Sequence, residues 1–411
     1  MNNDSENLTH HYNNYIYPKP VENIDIDIIK RKIIPYADPN FSFHILWPEK
    51  EFSRKSLNIL IAGCGSDQAA IIARCNPLHK VTGIDLSSES INYQKKLIKK
   101  HNIINLDLIC DDFRNINFSE KFDYIISTGV IHHLIEPETA LKYFYKNLKD
   151  DGVVNLMIYG NKQSQALNEI KKIFNEINLK QNKKSIDVVK KTILGLNNSH
   201  PAKIFSKSLN DFNYDSGIVD LFLHNQESFY KIDELIDLLD SNELIIKNFF
   251  DGKVSSLTKF FLYDIEIIKN LRKLNKKKQL QLSQILNWND RTIELVLCKK
   301  NNSVNSILYN QPNIMDCYIY PNRSIKYKIE PDKILIEEMY SNAVYSYNLL
   351  EKINLDWKKI FSGQKKLKDL IVNKNNTEIK FIEDIFKIFF ENKHIEISFH
   401  PIANYQDFLA K

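Results

Sequence analysis

The segment from Asn58 to Gln68, NILIAGCGSDQ, constrains the fold of this chain more than any other part of the sequence. Four apolar residues of a predicted strand lead into Gly63 and Gly65, and a second apolar run, VTGID, ends on Asp85, twenty residues after Gly65. A strand, a glycine turn, a helix and a second strand that ends on a carboxylate form half of a nucleotide-binding α/β fold. The sequence therefore predicts a ligand site at the glycine turn.

Strands and helices continue to alternate along the chain. Helices are predicted over Ser88 to His101 and Pro137 to Leu148, and strands at LDLIC, FDYIIS, VVNLMIY and residues 243–250 and 292–298. This alternation indicates a parallel sheet covered by helices on both faces, with a ligand beyond the carboxyl ends of the strands. The predicted fold class is α/β, with a Rossmann-like doubly wound sheet.

The alternating pattern is preceded by an N-terminal segment and interrupted by a helical insertion. Residues 1–45 form an N-terminal segment, whose first ten residues are expected to be disordered and whose part from Val21 to Tyr36 is expected to be helical. Tyr12, Tyr15 and Tyr17 lie close to two prolines, and this stiff stretch either packs against the main domain or forms a flap over its ligand. The main domain, residues 46–300, carries a helical insertion at about 160–240.

Residues 301–411 are predicted to form a separate small α+β domain. Strands are predicted at CYIYP and SIKYKI, helices at NAVYSYNLLEKI, KKLKDLI and EIKFIEDIFKIFFENK, and a hairpin-like segment at IEISFH. Helices ahead of a short strand are compatible with a winged helix, so the domain is predicted to be winged-helix-like.

The overall charge gives no indication of nucleic acid or a membrane as a partner. It is +5, from 56 basic and 51 acidic residues, which is slight for a chain of 411 residues. No run of about 18 apolar residues offers a membrane span. The five cysteines form no CxxC pair and show no Cys/His metal spacing, so reduced thiols in a cytoplasmic protein are expected.

Two carboxylates stand at the ends of predicted strands. Asp85 is placed to accept hydrogen bonds from both hydroxyls of a ribose, or to cap the following helix, and both roles are compatible. Asp112 either accepts a hydrogen bond from an adenine amino group, with Phe113 packed on the ring, or is a solvated turn residue. With the glycine turn, these residues point to a ligand that contains a ribose and an adenine.

The segment STGVIHHL follows the fourth strand of the main domain. Thr128 and Gly129 are expected at the switch point of the sheet, and His132 and His133 at the rim of the pocket. Adjacent histidines point in different directions on a helix or turn, so no metal ion shared by the two is expected.

On these motifs the chain resembles the class I S-adenosylmethionine-dependent methyltransferases. The matching pieces are ILIAGCGSDQ, GIDLS, the third-strand motif around Asp112, FDYIISTGVIHHL and NLKDDGVVNLMIYG. More narrowly, IAGCG followed by Gln68, STGVIHHL and the upstream YNNYIYP are similar to bacterial methyltransferases related to tetratricopeptide-repeat-associated ones, although no such repeats are visible. The resemblance covers roughly residues 10–300.

The resemblance implies S-adenosylmethionine as the cofactor and favours the flap interpretation of the N-terminal tyrosines. Ala62 stands where relatives usually carry an acid and Asp67 where they carry a third glycine, so Asp67 is the candidate contact for the methionine amino group. The residues implied for the cofactor are Tyr17, Ala62, Gly63, Cys64, Gly65, Asp67, Gln68, Asp85, Leu86, Asp112, Phe113, Ser127, Thr128 and Gly129.

Methyl transfer requires mainly that an acceptor be held in line with the sulfonium and that water be excluded. If the acceptor must lose a proton, His133, His132 or Tyr159 is the candidate base. Candidates for the acceptor pocket are polar groups between leucines and phenylalanines, although a local hydrogen-bonded turn explains them equally well. These are Asp220, His224 and Tyr230.

The predicted function is S-adenosylmethionine-dependent methyl transfer to oxygen, nitrogen or carbon of an unidentified small molecule or protein. Two alternatives are a cofactor-sensing, nucleic-acid-binding regulator that uses residues 301–411, and aminopropyl transfer on the same fold. Against the first, Lys365, Lys366 and Lys368 are offset by acidic residues further along the domain. The second requires an acidic polyamine pocket, where STGVIHHL offers histidines instead.

Overall fold

The structure is a computed structural model, and it describes residues 3–31, 35–52, 55–224, 226–250, 257–262, 264–287, 291–322, 325–338, 343–349 and 355–402. The chain divides into two compact units. The first comprises Met1–Asp38, Lys55–Leu244 and Trp288–Asn301, and the second comprises Pro39–Arg54, Ile245–Asn287 and Asn302–Lys411. The predicted main domain, residues 46–300, includes residues 46–54 and 245–287 instead, and that division stays a prediction.

The helices occur in both units. In chain order they are α1 (Asn3–Asn14), α2 (Ile24–Arg31), α3 (Phe43–Leu46), α4 (Gln68–Cys75), α5 (Ser88–His101), α6 (Pro137–Asn147), α7 (Asn161–Glu176), α8 (Lys183–Gly195), α9 (Pro201–Ser208), α10 (Asp215–Ile218), α11 (Ile232–Ser241), α12 (Ile265–Lys273), α13 (Lys276–Leu286), α14 (Trp357–Ile360), α15 (Leu367–Leu370) and α16 (Asn376–Glu391). No helix of the described residues is long and apolar enough to cross a membrane.

The strands of the main sheet are β1 (Asn58–Ala62), β2 (Lys80–Asp85), β3 (Leu106–Cys110), β4 (Phe122–Thr128), β5 (Leu148–Tyr159), β6 (Leu244–Asn248) and β7 (Thr292–Lys299). Among the described residues these seven strands are ordered β3-β2-β1-β4-β5-β7-β6. The strands β1 to β5 pair in parallel, and β7 is antiparallel to β5. This arrangement confirms the predicted α/β class with its doubly wound sheet.

The order of the strands places the ligand site. It reverses between β1 and β4, so the loops after these two strands diverge and leave a crevice at the carboxyl edge of the sheet. The sheet is stabilised by the burial of apolar side chains at the centre of β1, where Ile59, Leu60 and Ile61 have no exposed surface. A strand covered on both faces reads as a continuous apolar run.

The helix α5 shows how the sequence defines an element beside this crevice. Ser87 caps its first turn by accepting a hydrogen bond from the main chain of Ser90, and Asn102, in the left-handed conformation with φ of 51°, follows its last residue. Its face towards the sheet carries Ile91 and Leu97, which are both buried. The observed bounds are those predicted from the sequence.

Two predictions for the first 45 residues need revision. Residues 1–10 were expected to be disordered, but helix α1 begins at Asn3, because Leu8 and His11 on it are buried. Of the helix expected from Val21 to Tyr36, α2 accounts for Ile24–Arg31 and a 3₁₀ turn for Pro35–Ala37, while residues 32–34 lie outside the described residues.

The second unit contains two small antiparallel sheets built from β8 (Tyr318–Pro321), β9 (Ile325–Ile329), β10 (Lys333–Glu338), β11 (Val344–Asn348) and β12 (Ile395–Ser398). Their orders are β11-β10-β9 and β12-β8. The helix predicted at NAVYSYNLLEKI was wrong for its described part, because Tyr345 and Tyr347 alternate with polar residues on strand β11. Residue 342 and residues 350–353 of this segment lie outside the described residues. The IEISFH segment supplies the strand β12, which pairs with β8, and within the described part of the chain it forms no hairpin of its own. The likeness to a winged helix stays a prediction.

Candidate functional site

The glycine turn after β1 has a backbone that only glycine adopts without strain. Gly63 has φ of 78° and Gly65 has φ of 55°, both in the left-handed region. A Cβ at Gly63 would lie 2.2 Å from Cγ2 of Val130, and a Cβ at Gly65 would lie 3.0 Å from Cδ of Pro18. The turn is therefore closely covered by neighbouring residues, and the predicted need for two glycines has a steric cause.

Asp85, at the end of β2, ties this turn to the next helix. Its Oδ2 accepts a 2.7 Å hydrogen bond from the main-chain N–H of Gly65, and its Oδ1 accepts a 2.9 Å bond from that of Ser87. Burial raises the pKa of Asp85, and the two N–H donors oppose that rise. The N-cap of α5 is Ser87 rather than Asp85. Asp85 also lines the cavity at the carboxyl edge of the sheet.

Asp112, after β3, forms a bidentate ion pair with Arg114. The guanidinium donates through Nη2 to Oδ2 at 2.7 Å and through Nε to Oδ1 at 3.0 Å, and the main-chain N–H of Arg114 also donates to Oδ1 at 2.9 Å. Phe113 is buried and stacks on Phe144 with ring centroids 5.7 Å apart. The ion pair with Arg114 holds the carboxylate of Asp112, and Phe144 packs on the ring of Phe113. These are the two groups predicted to contact an adenine.

A cavity of about 260 Å³ lies within the first unit at the carboxyl edge of the sheet. Among the predicted cofactor residues, Ala62 and Ser127 do not line it and are fully buried. The predicted cofactor residues that line it are Tyr17, Gly63, Cys64, Gly65, Asp67, Gln68, Asp85, Leu86, Asp112, Phe113, Thr128 and Gly129. The cavity brings the glycine turn, the ribose candidate and the adenine candidates together.

Gln68 links the two strands at which the sheet order reverses. Its Nε2 donates to Oγ1 of Thr128 at 2.7 Å and to the hydroxyl of Tyr36 at 3.3 Å. Tyr36 also lines the cavity, and burial raises its pKa to about 12, so it stays a neutral phenol. Tyr36 lies between motifs, so no sequence pattern identifies it as a cavity residue.

The N-terminal segment covers one side of the cavity. Leu8 and Tyr12 of α1, together with Tyr17 and Pro18, line it. The hydroxyl of Ser66 donates to the main-chain oxygen of Pro18 at 2.9 Å, which attaches the segment to the glycine turn. Tyr15 does not line the cavity and packs against the helical residues after β5.

At the other end of the cavity, four histidine rings form a column. Neighbouring centroids lie 4.4 Å apart for His11 and His224, 4.2 Å for His224 and His133, and 4.3 Å for His133 and His132. Tyr159 continues the column at 3.8 Å from His132. Of the predicted bases, His133 and Tyr159 line the cavity, whereas His132 lies directly behind them.

The premise that the two adjacent histidines diverge was wrong. His132, His133 and Glu227 offer ligand-type atoms that all lie within 4.8 Å of one another. The reason is that Ile131–His133 form a tight 3₁₀ turn in which both rings are buried. Glu227 comes from a segment more than ninety residues later, so no motif in the sequence connects it with the histidines.

Burial keeps these imidazoles neutral. It lowers the pKa of His133 and of His11 to about 4, and it lowers the pKa of His132 and His224 well below their usual value. Asp220, which has no exposed surface, has its pKa raised by burial to about 7. The cluster therefore accepts protons only weakly at its histidines.

The predicted acceptor residues occupy two different places. His224 belongs to the histidine column. Burial raises the pKa of Tyr12 and Tyr159, and the nearby carboxyl of Asp220 adds to that rise. Neither His224 nor Asp220 lines the cavity. Tyr230 lies apart from the column, with its main-chain N–H donating to the main-chain oxygen of Tyr159 at 3.0 Å.

Three charged residues of the cluster were missed. Glu227 forms an ion pair with Lys171, and Nη2 of Arg291 lies 3.6 Å from its other carboxylate oxygen. The guanidinium carbon of Arg291 lies 3.8 Å from the ring centroid of Tyr159, a cation–π contact. The three residues lie on separate segments of the chain, and their only common sequence signal is a charged residue in a partly apolar context.

Comparisons with known proteins extend this description. Residues 53–214 match a family described as a methyltransferase domain. The chain is 29% identical to malonyl-[acyl-carrier protein] O-methyltransferase of Priestia megaterium over 117 residues. This matched stretch covers 28% of this chain and 42% of that protein. Over 107 residues it is 34% identical to ribosomal protein L11 methyltransferase of Thermosipho africanus, covering 26% of this chain and 39% of that protein. The matches thus span about two fifths of these curated relatives.

A solved structure is similar over much more of the chain. PKMT2 from Rickettsia typhi, in complex with AdoHcy, aligns with a TM-score of 0.62 and 18% sequence identity. The alignment covers 89% of this chain and 76% of that protein. At this level of identity the similarity concerns the fold.

Proposed function

From the premise that the chain has the class I S-adenosylmethionine-dependent methyltransferase fold, with a methyltransferase domain at residues 53–214, we propose that it transfers a methyl group from S-adenosylmethionine to an acceptor. The acceptor atom is oxygen, nitrogen or carbon of a small molecule or a protein. The observation that carries this proposal is one cavity that joins the glycine turn and Asp85 to His133 and Tyr159.

The residues of the cavity fit the cofactor. Gly63 and Gly65 present bare backbone on the cavity wall, and Asp85 offers acceptor lone pairs at the end of β2. Phe113 provides an aromatic face beside Asp112. Asp67, buried and on the cavity wall, stands in for the acid that relatives carry at the position of Ala62.

When bound, S-adenosylmethionine supplies a methyl group on a positively charged sulfur, which is a ready leaving group. The chain then has to hold the acceptor in line and exclude water. Tyr12 and Tyr17, from the N-terminal segment, cover the cavity and limit access of water. His133, neutral at pH 7, is the candidate to take a proton from an acceptor that has to lose one.

The charge distribution of residues 301–411 gives no support to a nucleic-acid-binding regulator. Lys368 forms a 2.7 Å ion pair with Asp316, and Lys380 lies within 3.5 Å of both Glu383 and Asp384. A reader of nucleic acid needs a basic face that is free of such pairs.

Calorimetry with the purified chain tests the proposal. We expect S-adenosylmethionine and S-adenosylhomocysteine to bind at one site, and decarboxylated S-adenosylmethionine to bind more weakly, since it lacks the carboxylate of the methionine part. Absence of binding of the first two would exclude the proposal. A cell extract incubated with cofactor labelled on the methyl group, then separated into small-molecule and protein fractions, would identify the class of acceptor.

A further inference from the structure

We propose that His132, His133 and Glu227 bind a divalent transition-metal ion at the acceptor end of the cavity. This goes beyond methyl transfer, because ion binding can be measured whether or not the chain transfers a methyl group. Two imidazole nitrogens and one carboxylate oxygen are a donor set that Zn²⁺ and Fe²⁺ take in proteins with a coordination position left open.

The geometry of the three side chains is close to that of a metal site. Their ligand atoms lie within 4.8 Å of one another. Two ligands about 2.1 Å from a tetrahedral ion lie about 3.4 Å apart. The donors therefore need to approach each other by about 1.4 Å at most.

The segment that carries Glu227 is fastened to the histidine turn on both sides. Nε2 of Gln226 donates to the main-chain oxygen of His133 at 2.7 Å, and the main-chain N–H of Ser228 donates to the main-chain oxygen of His132 at 2.7 Å. Glu227 is thus held opposite the two imidazoles by its own neighbours. Such preorganisation lowers the cost of bringing three ligands together.

The hydrogen bonds of the side chains leave the required atoms available. Nδ1 of His133 lies 3.1 Å from the main-chain oxygen of Gln226, which as an N–H donor leaves Nε2 unprotonated, the arrangement typical of a metal-bound histidine. His132 is fully buried, and neither of its ring nitrogens has a hydrogen-bond partner among the described residues. Buried polar groups are rarely left without a partner, so a bound ligand would explain the two unpaired ring nitrogens of His132.

The charges nearby limit the strength of binding. Lys171 pairs with one oxygen of Glu227, and Arg291 approaches the other at 3.6 Å without a hydrogen bond. These cations oppose a second positive centre, so we expect an exchangeable ion rather than one that survives a chelator. With the ion bound, His132 and His133 would hold it instead of accepting a proton, and of the three ligands His133 lines the cavity.

Cobalt titration of the full chain, without an affinity tag and after treatment with a chelator, tests the proposal. We expect one equivalent of Co²⁺ to give a saturable visible absorption of a histidine-ligated ion, which Zn²⁺ abolishes. The variants H132Q and E227Q should each weaken binding at least tenfold. The variant H10Q, at an exposed histidine, should bind as the wild type does.

Circular dichroism checks that each variant is folded. If H132Q does not fold, E227Q still tests the site. The proposal is overturned if the wild type gives no saturable signal at millimolar Co²⁺, the result expected if ordered waters fill the cluster. It is equally overturned if the folded E227Q binds as tightly as the wild type, which would place the ion elsewhere.

Discussion

The main-chain N–H of Gly65 donates a 2.7 Å hydrogen bond to Oδ2 of Asp85, across the gap between the turn after β1 and the end of β2. The glycine turn and the carboxylate are thus one structure, although twenty residues separate them in sequence. A change at Asp85 should therefore act both on the shape of the turn and on any ligand that the turn holds.

The variant D85N should bind S-adenosylmethionine ten- to a hundredfold more weakly than the wild type. A hydrogen bond to a charged group contributes about 1.5–3 kcal/mol, and an amide can accept through only one of its two terminal atoms. Calorimetry measures the change, with D107N, at an exposed position on β3, as the control. Equal affinity in D85N and wild type would contradict the assigned role.

The variant G63A should lower the free energy of unfolding by about 1–3 kcal/mol and weaken cofactor binding, because a non-glycine residue is strained at φ of 78° and its Cβ meets Val130. Gly195, at the end of α8, is the matched control, since a Cβ there has no neighbour within 4 Å. We expect G195A to be neutral or slightly stabilising. Urea unfolding measures both, and a G63A as stable as G195A would argue against a steric need for glycine.

The variant R114M should cost about 3 kcal/mol, because it leaves the buried carboxylate of Asp112 without its bidentate partner. The exposed pair of Arg74 and Asp25, at 3.0 Å, offers the contrast, and R74M should change stability by less than about 1 kcal/mol. Unfolding free energies of the two variants, measured side by side, separate the effect of burying an ion pair from the effect of the ion pair itself. Equal losses in both variants would refute the difference expected from burial.

The main sheet could be predicted because its signals are local. The strands from β1 to β5 are apolar runs between turn residues, and α5 has a serine at its N-cap and an asparagine after its end. The strand β11 was mistaken for a helix because leucines near its end imitate helical spacing, while the alternation of Tyr345 and Tyr347 carried the correct signal. The helix α1 was missed because its buried side is narrow and the rest of it is polar.

The cofactor half of the site was predicted from motifs, whereas the histidine cluster was predicted only in part. His132, His133 and His224 were named, but Glu227, Lys171 and Arg291 reach the same place from other segments. Tertiary contacts between distant segments leave no periodicity in the sequence. The distances between rings and carboxylates became known only when the fold placed them together.

His11 makes the stability of the chain depend on pH. Its pKa is lowered from 6.5 to about 4, chiefly by burial, with His133 and Lys171 opposing its charged form. The folded imidazole stays neutral while the unfolded one gains a proton below pH 6.5, so protonation favours the unfolded state. The contribution of His11 to stability is complete above pH 6.5 and is lost as the pH falls towards 4.

Between pH 7 and pH 5 this histidine should cost the wild type about 2 kcal/mol of unfolding free energy, since each unit below 6.5 contributes about 1.4 kcal/mol. The variant H11Q cannot take up this proton, so its stability should fall less over the same range. Urea unfolding at both pH values, with a chelator present, measures the difference, and H10Q, at an exposed residue of the same helix, serves as the control. If H11Q loses as much stability as the wild type, the pH dependence arises from other groups, and the burial of His11 does not control it.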